Sequence, residues 1–134
     1  MTESHKLRGR VLVAEDDPDL RDVMVEALRL DGFDVIEVEN GAQLLDMVGP
    51  SLFGKEAGPP PALVISDHRM PGINGMTVLG GLRQLDSKLP FILITAFGDA
   101  ETHVQAERLG ASVLDKPFEM RRLLGLAHQC LGLP

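Results

Sequence analysis

The 134-residue chain has no tryptophan and no tyrosine, only five phenylalanines, and a single cysteine, Cys130. One cysteine cannot form an internal disulfide, so the fold must hold by packing and a reducing, cytoplasmic setting is expected. The scarcity of aromatics argues against a base-stacking surface for single-stranded nucleic acid. Basic charge is also short: 13 Lys and Arg stand against 20 Asp and Glu, a net of −7. That is the wrong sign for a phosphate-coating protein, so no direct nucleic-acid contact is expected. Long apolar runs are missing too. The longest are short stretches such as 11–14, 62–65 and 91–94, far below a membrane span, and nothing at the start reads as a signal peptide, so no membrane insertion is expected. What is present is balanced: 44% hydrophobic and 25% charged residues, as in a globular domain. The length suits one domain, with no room for a separate output domain beside it. Its core is expected over about 9–130, after a flexible N-terminus at 1–8.

Short β-like runs alternate with amphipathic stretches. A strand over 10–14 ends in Glu15-Asp16-Asp17. A helix follows over 18–30, with Leu20, Val23, Met24, Ala27 and Leu28 stepping by three and four to make one apolar stripe. Pro18 suits its first turn and Gly32 its C-terminal cap. Asp17 is expected to cap it. A second strand occupies 34–38 and a short helix 41–48, with Leu44, Leu45 and Val48 inward. Residues 49–61 hold three Gly and four Pro and read as a surface loop, most simply a tolerated insertion. A third strand at 62–66 is followed by Asp67. Turn residues crowd 69–75, and a helix runs over 76–85. The pattern repeats with a strand at 91–95, a helix at 100–109 closed by Gly110, a strand at 112–115 ending at Lys116-Pro117, and a helix at 119–130. Five β-α units with strands apolar on both faces predict an α/β fold: a doubly wound parallel sheet, single-domain, in the flavodoxin-like order 2-1-3-4-5. A closed barrel would need about 250 residues.

In such a sheet, ligands bind outside the carboxyl ends of the strands. Those ends carry Glu15, Asp16 and Asp17, then Asp67, Thr95 and Lys116. Carboxylates gathered on one edge repel one another unless a cation joins them. Oxygen donors with no His or Cys partner point to Mg²⁺ rather than zinc. Mg²⁺, a Thr hydroxyl and a Lys ammonium around a carboxylate suit phosphoryl transfer, and a carboxylate can itself be the nucleophile. Asp67, between the acids and the lysine, is the best candidate. No phosphate-binding Gly-x-x-x-x-Gly-Lys-Ser/Thr or Gly-x-Gly-x-x-Gly loop is present, which weighs against a nucleotide-binding enzyme or hydrolase.

The segments Val13-Ala14-Glu15-Asp16-Asp17-Pro18, Asp67-His68-Arg69-Met70-Pro71-Gly72-Ile73-Asn74-Gly75, Thr95-Ala96 and Lys116-Pro117-Phe118, in this order, resemble the receiver domain of bacterial two-component response regulators. The resemblance runs from about residue 9 to about 126. It implies that Asp67 accepts a phosphoryl group from a phosphohistidine on a sensor histidine kinase or a histidine phosphotransfer protein. It implies Asp16, Asp67 and the backbone carbonyl of Arg69 as ligands of Mg²⁺, with Glu15 bound directly or through water. Thr95 would bond a phosphoryl oxygen, and Lys116 would pair with the carboxylate before transfer and the phosphate after it. The Lys116–Pro117 peptide is expected to be cis. Such a protein is a phosphoacceptor switch rather than a conventional enzyme. It acts on a downstream protein target or output domain through a face of the fourth helix, fifth strand and fifth helix, where Glu107, Arg108, Arg121 and Arg122 lie.

Val113 departs from the family pattern, since the switch aromatic usually stands there, three residues before the lysine. Phe97 and Arg69 are expected to shield the phosphoryl group and slow its hydrolysis. His68 is read as a packed or solvated neighbour of the acceptor. His5, His103 and His128 show no ligand spacing and receive no role, and Met24, Met70 and Met76 are core fillers. The competing reading is a pseudo-receiver that binds partners without phosphorylation. Such a protein usually lacks one of the acids, the acceptor or the lysine, and this chain keeps them all.

Overall fold

A computed structural model of the chain describes residues 8–52, 61–96 and 99–134. The expectations for residues 1–7, the central part of the Gly/Pro-rich segment, His5 and Phe97 lie outside the described residues. Five strands, β1 (Arg10–Ala14), β2 (Asp34–Val38), β3 (Leu63–Asp67), β4 (Phe91–Ala96) and β5 (Ser112–Lys116), alternate with five helices. These are α1 (Pro18–Leu30), α2 (Gly41–Leu52), α3 (Gly75–Gln84), α4 (Ala100–Arg108) and α5 (Met120–Leu131). The strands pair in parallel in the order β2-β1-β3-β4-β5, the doubly wound flavodoxin-like order the sequence predicts.

Each strand feeds two cores, because successive side chains point to opposite faces. Val11 and Val13 of β1, Leu63 and Ile65 of β3, and Ile92 and Ile94 of β4 pack with Met24 and Leu28 of α1 and Leu123 and Ala127 of α5. Their neighbours Leu12, Ala14, Val64, Phe91 and Leu93 pack on the other side with Leu44, Val48, Val78, Leu79, Leu82 and Ala106, from α2, α3 and α4. Burial on both faces is why these strands read as unbroken apolar runs. Val113 of β5 sits at the edge of the second core.

Helix ends follow local chemistry. The Asp17 carboxylate accepts from the Asp19 backbone N–H at 3.0 Å, as a cap of α1 should. Asn74 caps α3 through the Thr77 N–H at 2.8 Å. Asp99 caps α4 by accepting from both the N–H and the hydroxyl of Thr102. Gly32, one residue past the cap position of α1, takes the left-handed region at φ +100°.

Three boundaries differ from the sequence expectation in ways that matter. The second helix does not stop at 48 but runs to Leu52, carrying Pro50 within its last turn. A proline there removes one helical hydrogen bond, to the carbonyl four residues earlier, a loss a terminal turn tolerates better than a helix centre does. Asp67 and Lys116 are the last residues of their strands rather than the first beyond them, because the ladder continues through Asp67↔Ile94 and Ala96↔Lys116. The acceptor candidate and the lysine are thus held by sheet geometry. No helix among the described residues is long and apolar enough to cross a membrane.

Candidate functional site

The strand order puts β1 and β3 side by side at the switch point, with their carboxyl ends on one edge. Glu15 leaves β1 there, Asp67 ends β3, Thr95 lies near the end of β4 and Lys116 ends β5. Residues separated by up to about a hundred positions in the chain are gathered by four parallel registers. One carboxylate oxygen from each of Glu15, Asp16 and Asp67 lies within 4.8 Å of the others. Glu15 and Asp67 are buried and Asp16 is exposed. Asp17 stands apart from this trio as the helix cap.

The Lys116 ammonium donates to Asp67 Oδ2 at 2.7 Å and stands 3.5 Å from Glu15 Oε1. Burial pushes the Glu15 carboxyl from its ordinary 4.5 up to about 7. The Asp17 N–H donating to Glu15 Oε2 at 3.1 Å opposes that rise, and the adjacent Asp67 carboxylate adds to it. Burial works against the Lys116 charge as well, but the pull of Asp67 and Glu15 prevails and raises its pKa. Three carboxylates against one ammonium leave the edge short of positive charge. Glu15 Oε1 and Thr95 Oγ1 are buried with no hydrogen-bond partner among the described residues. Buried polar atoms of this kind call for a partner. Oxygen donors of this number and charge fit a hard divalent cation such as Mg²⁺.

Glycines shape the loop behind Asp67. A Cβ on Gly75 would meet the Asp67 carbonyl at 2.4 Å, and one on Gly41 would meet the Ile73 carbonyl at 2.0 Å. Both positions therefore require close backbone approach. The Gly75 N–H donates to the His68 carbonyl at 2.9 Å, and the His68 N–H to the Ile94 carbonyl at 2.7 Å. His68 is a packed neighbour held by its backbone, half-buried beside the acceptor. The Arg69 side chain is exposed. The Lys116–Pro117 peptide is cis. Asp17, Leu20, Ala96, Lys116, Pro117 and Phe118 line an open, mainly apolar groove at the mouth of the site.

Sequence reading passed over several contacts. His103 on α4 bonds Asp115 on β5 at 2.6 Å, and His128 on α5 bonds Asp31 at the end of α1, also at 2.6 Å. Neither pair has a spacing signature, since twelve and ninety-seven residues separate the partners. The close approaches of Gly41 and Gly75 had only a turn-rich motif as a signal. Met24 and Met70 are buried core residues, as expected, and Met76 packs at the edge of the second core.

Residues 11–128 match the family model described as the response regulator receiver domain. The response regulator protein FleR of Pseudomonas aeruginosa is 38% identical over 128 residues, which cover 94% of this chain and 25% of FleR. The DNA-binding transcriptional regulator NtrC of Escherichia coli K12 is 34% identical over 126 residues, 93% of this chain and 25% of NtrC. Among solved structures, the receiver domain of NtrX from Brucella abortus superposes with a TM-score of 0.78 at 27% identity, covering 92% of this chain and 99% of that one. The chain spans about a quarter of the length of FleR and NtrC.

Proposed function

The chain belongs to the response regulator receiver domain family, and from that premise we propose that Asp67 accepts a phosphoryl group from a phosphohistidine on a sensor histidine kinase or histidine phosphotransfer protein. The observation that carries this reading is the buried Asp67 carboxylate, 2.7 Å from the Lys116 ammonium and within 4.8 Å of two further carboxylates. An Asp67 oxygen attacks phosphorus as the P–N bond to the donor imidazole breaks, and the bonding pair leaves on that ring nitrogen. Glu15, Asp16 and Asp67, with the Arg69 carbonyl, would hold Mg²⁺. Held there, Mg²⁺ would supply positive charge to offset that of the carboxylates and of the incoming phosphoryl oxygens. Lys116 moves from pairing with the free carboxylate to pairing with a phosphoryl oxygen. The unpartnered Thr95 hydroxyl donates to another. Hydrolysis returns Asp67 to a carboxylate and releases inorganic phosphate, so the domain works as a switch rather than a conventional enzyme.

The output face is α4, β5 and α5, where Glu107, Arg108, Arg121 and Arg122 are exposed. With Val113 at the position usual for an aromatic, the His103–Asp115 contact supplies a link between α4 and β5 on that face. The partner there is a downstream protein or an output domain. With the domain's net charge of −7, any contact with DNA belongs to such an output domain and not to these residues. A cytoplasmic location accords with this role.

Intact mass after incubation with Mg²⁺ and a small acyl-phosphate donor tests the reading. One added phosphoryl group is expected, labile to hydroxylamine and lost in Asp67→Asn and with a chelator. Absence of an adduct, together with no binding of Mg²⁺ or beryllofluoride, would leave the phosphorylation-independent pseudo-receiver in its place.

A further inference from the structure

Arg21 stands on the fourth position of α1, outside the acidic trio, with its side chain only 14% exposed. Its Nη1 donates to the backbone carbonyl of Glu15 at 2.7 Å. Its Nε donates to Glu37 Oε1 on β2 at 3.3 Å. Two further groups of Glu15 are also engaged. Its N–H donates to the Val38 carbonyl at 3.2 Å, and its Oε2 accepts from the Asp17 N–H. The bonded carbonyl belongs to the peptide that joins Glu15 to Asp16. Holding that plane sets the directions in which both acids leave the backbone. Glu37 in turn holds the guanidinium, whose planar fork can serve two acceptors at once.

We propose that Arg21 is a positioning residue for the divalent-cation site, fastening the Glu15–Asp16 peptide with Glu37 as its support. This rests on the reading of the acidic edge as a Mg²⁺ site. The guanidinium's two observed side-chain bonds go to a carbonyl and to Glu37, and neither goes to the three clustered carboxylates. Its positive charge by itself opposes a second cation nearby, whereas its hydrogen bond favours one by ordering the donors. Removal therefore distinguishes the two by sign.

The experiment is calorimetric titration of MgCl2 into the full chain and into Arg21→Met, Arg21→Lys and Glu37→Gln, with thermal unfolding of each in a chelator. Loss of a group that orients metal ligands commonly weakens metal binding by roughly 10-fold or more. Arg21→Met is expected to raise the Mg²⁺ Kd by about that factor, and Glu37→Gln by less. Arg21→Lys should recover part of the loss, since a lysine reaches one acceptor but not both. Glu37→Gln leaves α1 and its arginine intact, so it keeps the test alive if Arg21→Met folds poorly. An unchanged Kd with a lowered melting temperature would make Arg21 a helix staple only, and a tighter Kd would make it a repelling charge. Either result overturns the proposal. A wild-type chain that binds no Mg²⁺ would instead overturn the metal reading, and this proposal with it.

Discussion

Replacing Glu15 by Gln in metal-free protein is expected to flatten the pH dependence of stability. The Glu15 side chain is fully buried, and its carboxyl titrates near 7 in the fold against about 4.5 when free. Between those values the folded chain binds more protons than the unfolded chain, so stability falls as pH rises through that window. At 1.36 kcal/mol for each pKa unit, the loss is about 3 kcal/mol by pH 8. A glutamine is neutral throughout and can still accept from the Asp17 N–H that now serves Glu15 Oε2. The Lys116 bond to Asp67, 2.7 Å in the wild type, does not involve the Glu15 side chain and is expected to persist in the variant. The variant should thus match wild type near pH 4.5 and exceed it by up to about 3 kcal/mol at pH 8. Urea unfolding followed by far-ultraviolet circular dichroism, in a chelator from pH 4.5 to 8, measures this without any need for tryptophan. Equal pH slopes for the two proteins would refute the reasoning. Added Mg²⁺ should then favour the wild type, by about 2.7 kcal/mol at a hundred times its Kd if the variant does not bind.

Gly75→Ala is expected to destabilise the fold by roughly 1–3 kcal/mol or more, because the new methyl group would stand 2.4 Å from the Asp67 carbonyl. Denaturant unfolding reads the loss, and an unchanged midpoint would show that the loop behind Asp67 yields easily. His128 has a raised pKa, first through its bond to Asp31, then through its bond to the Pro134 carbonyl. The stability it contributes is therefore present in full below its unfolded pKa of about 6.5 and is lost as pH rises through the higher folded value. The melting-temperature gap between wild type and His128→Ala should be wider at pH 6 than at pH 9, and a gap independent of pH would contradict the ion-pair account.

Much of this molecule is legible in its sequence because the relevant interactions are local or periodic. Apolar runs buried on both faces mark the strands, the stripe through Leu20, Met24 and Leu28 marks α1, and Asp17 before Pro18 marks where that helix begins. Glu15, Asp16, Asp67, Thr95 and Lys116 could be picked out because parallel strands bring their carboxyl ends to one edge. The second helix was harder. Gly49 and Pro50 are weak helix formers, yet the helix continues to Leu52 from a body anchored in the core by the buried Leu44 and Val48.

Sequence alone determined the five β-α units, the strand order and the set of residues on the acidic edge, since backbone propensity, apolar pattern and right-handed crossovers leave few other arrangements. Only the tertiary structure decided what those residues experience. Burial raises Glu15, Arg21 reaches back to the Glu15 carbonyl, Gly41 and Gly75 admit close backbone contacts, and His103 and His128 find carboxylates on other elements. Desolvation and contact across distant parts of the chain depend on which surfaces meet, and no local pattern encodes that.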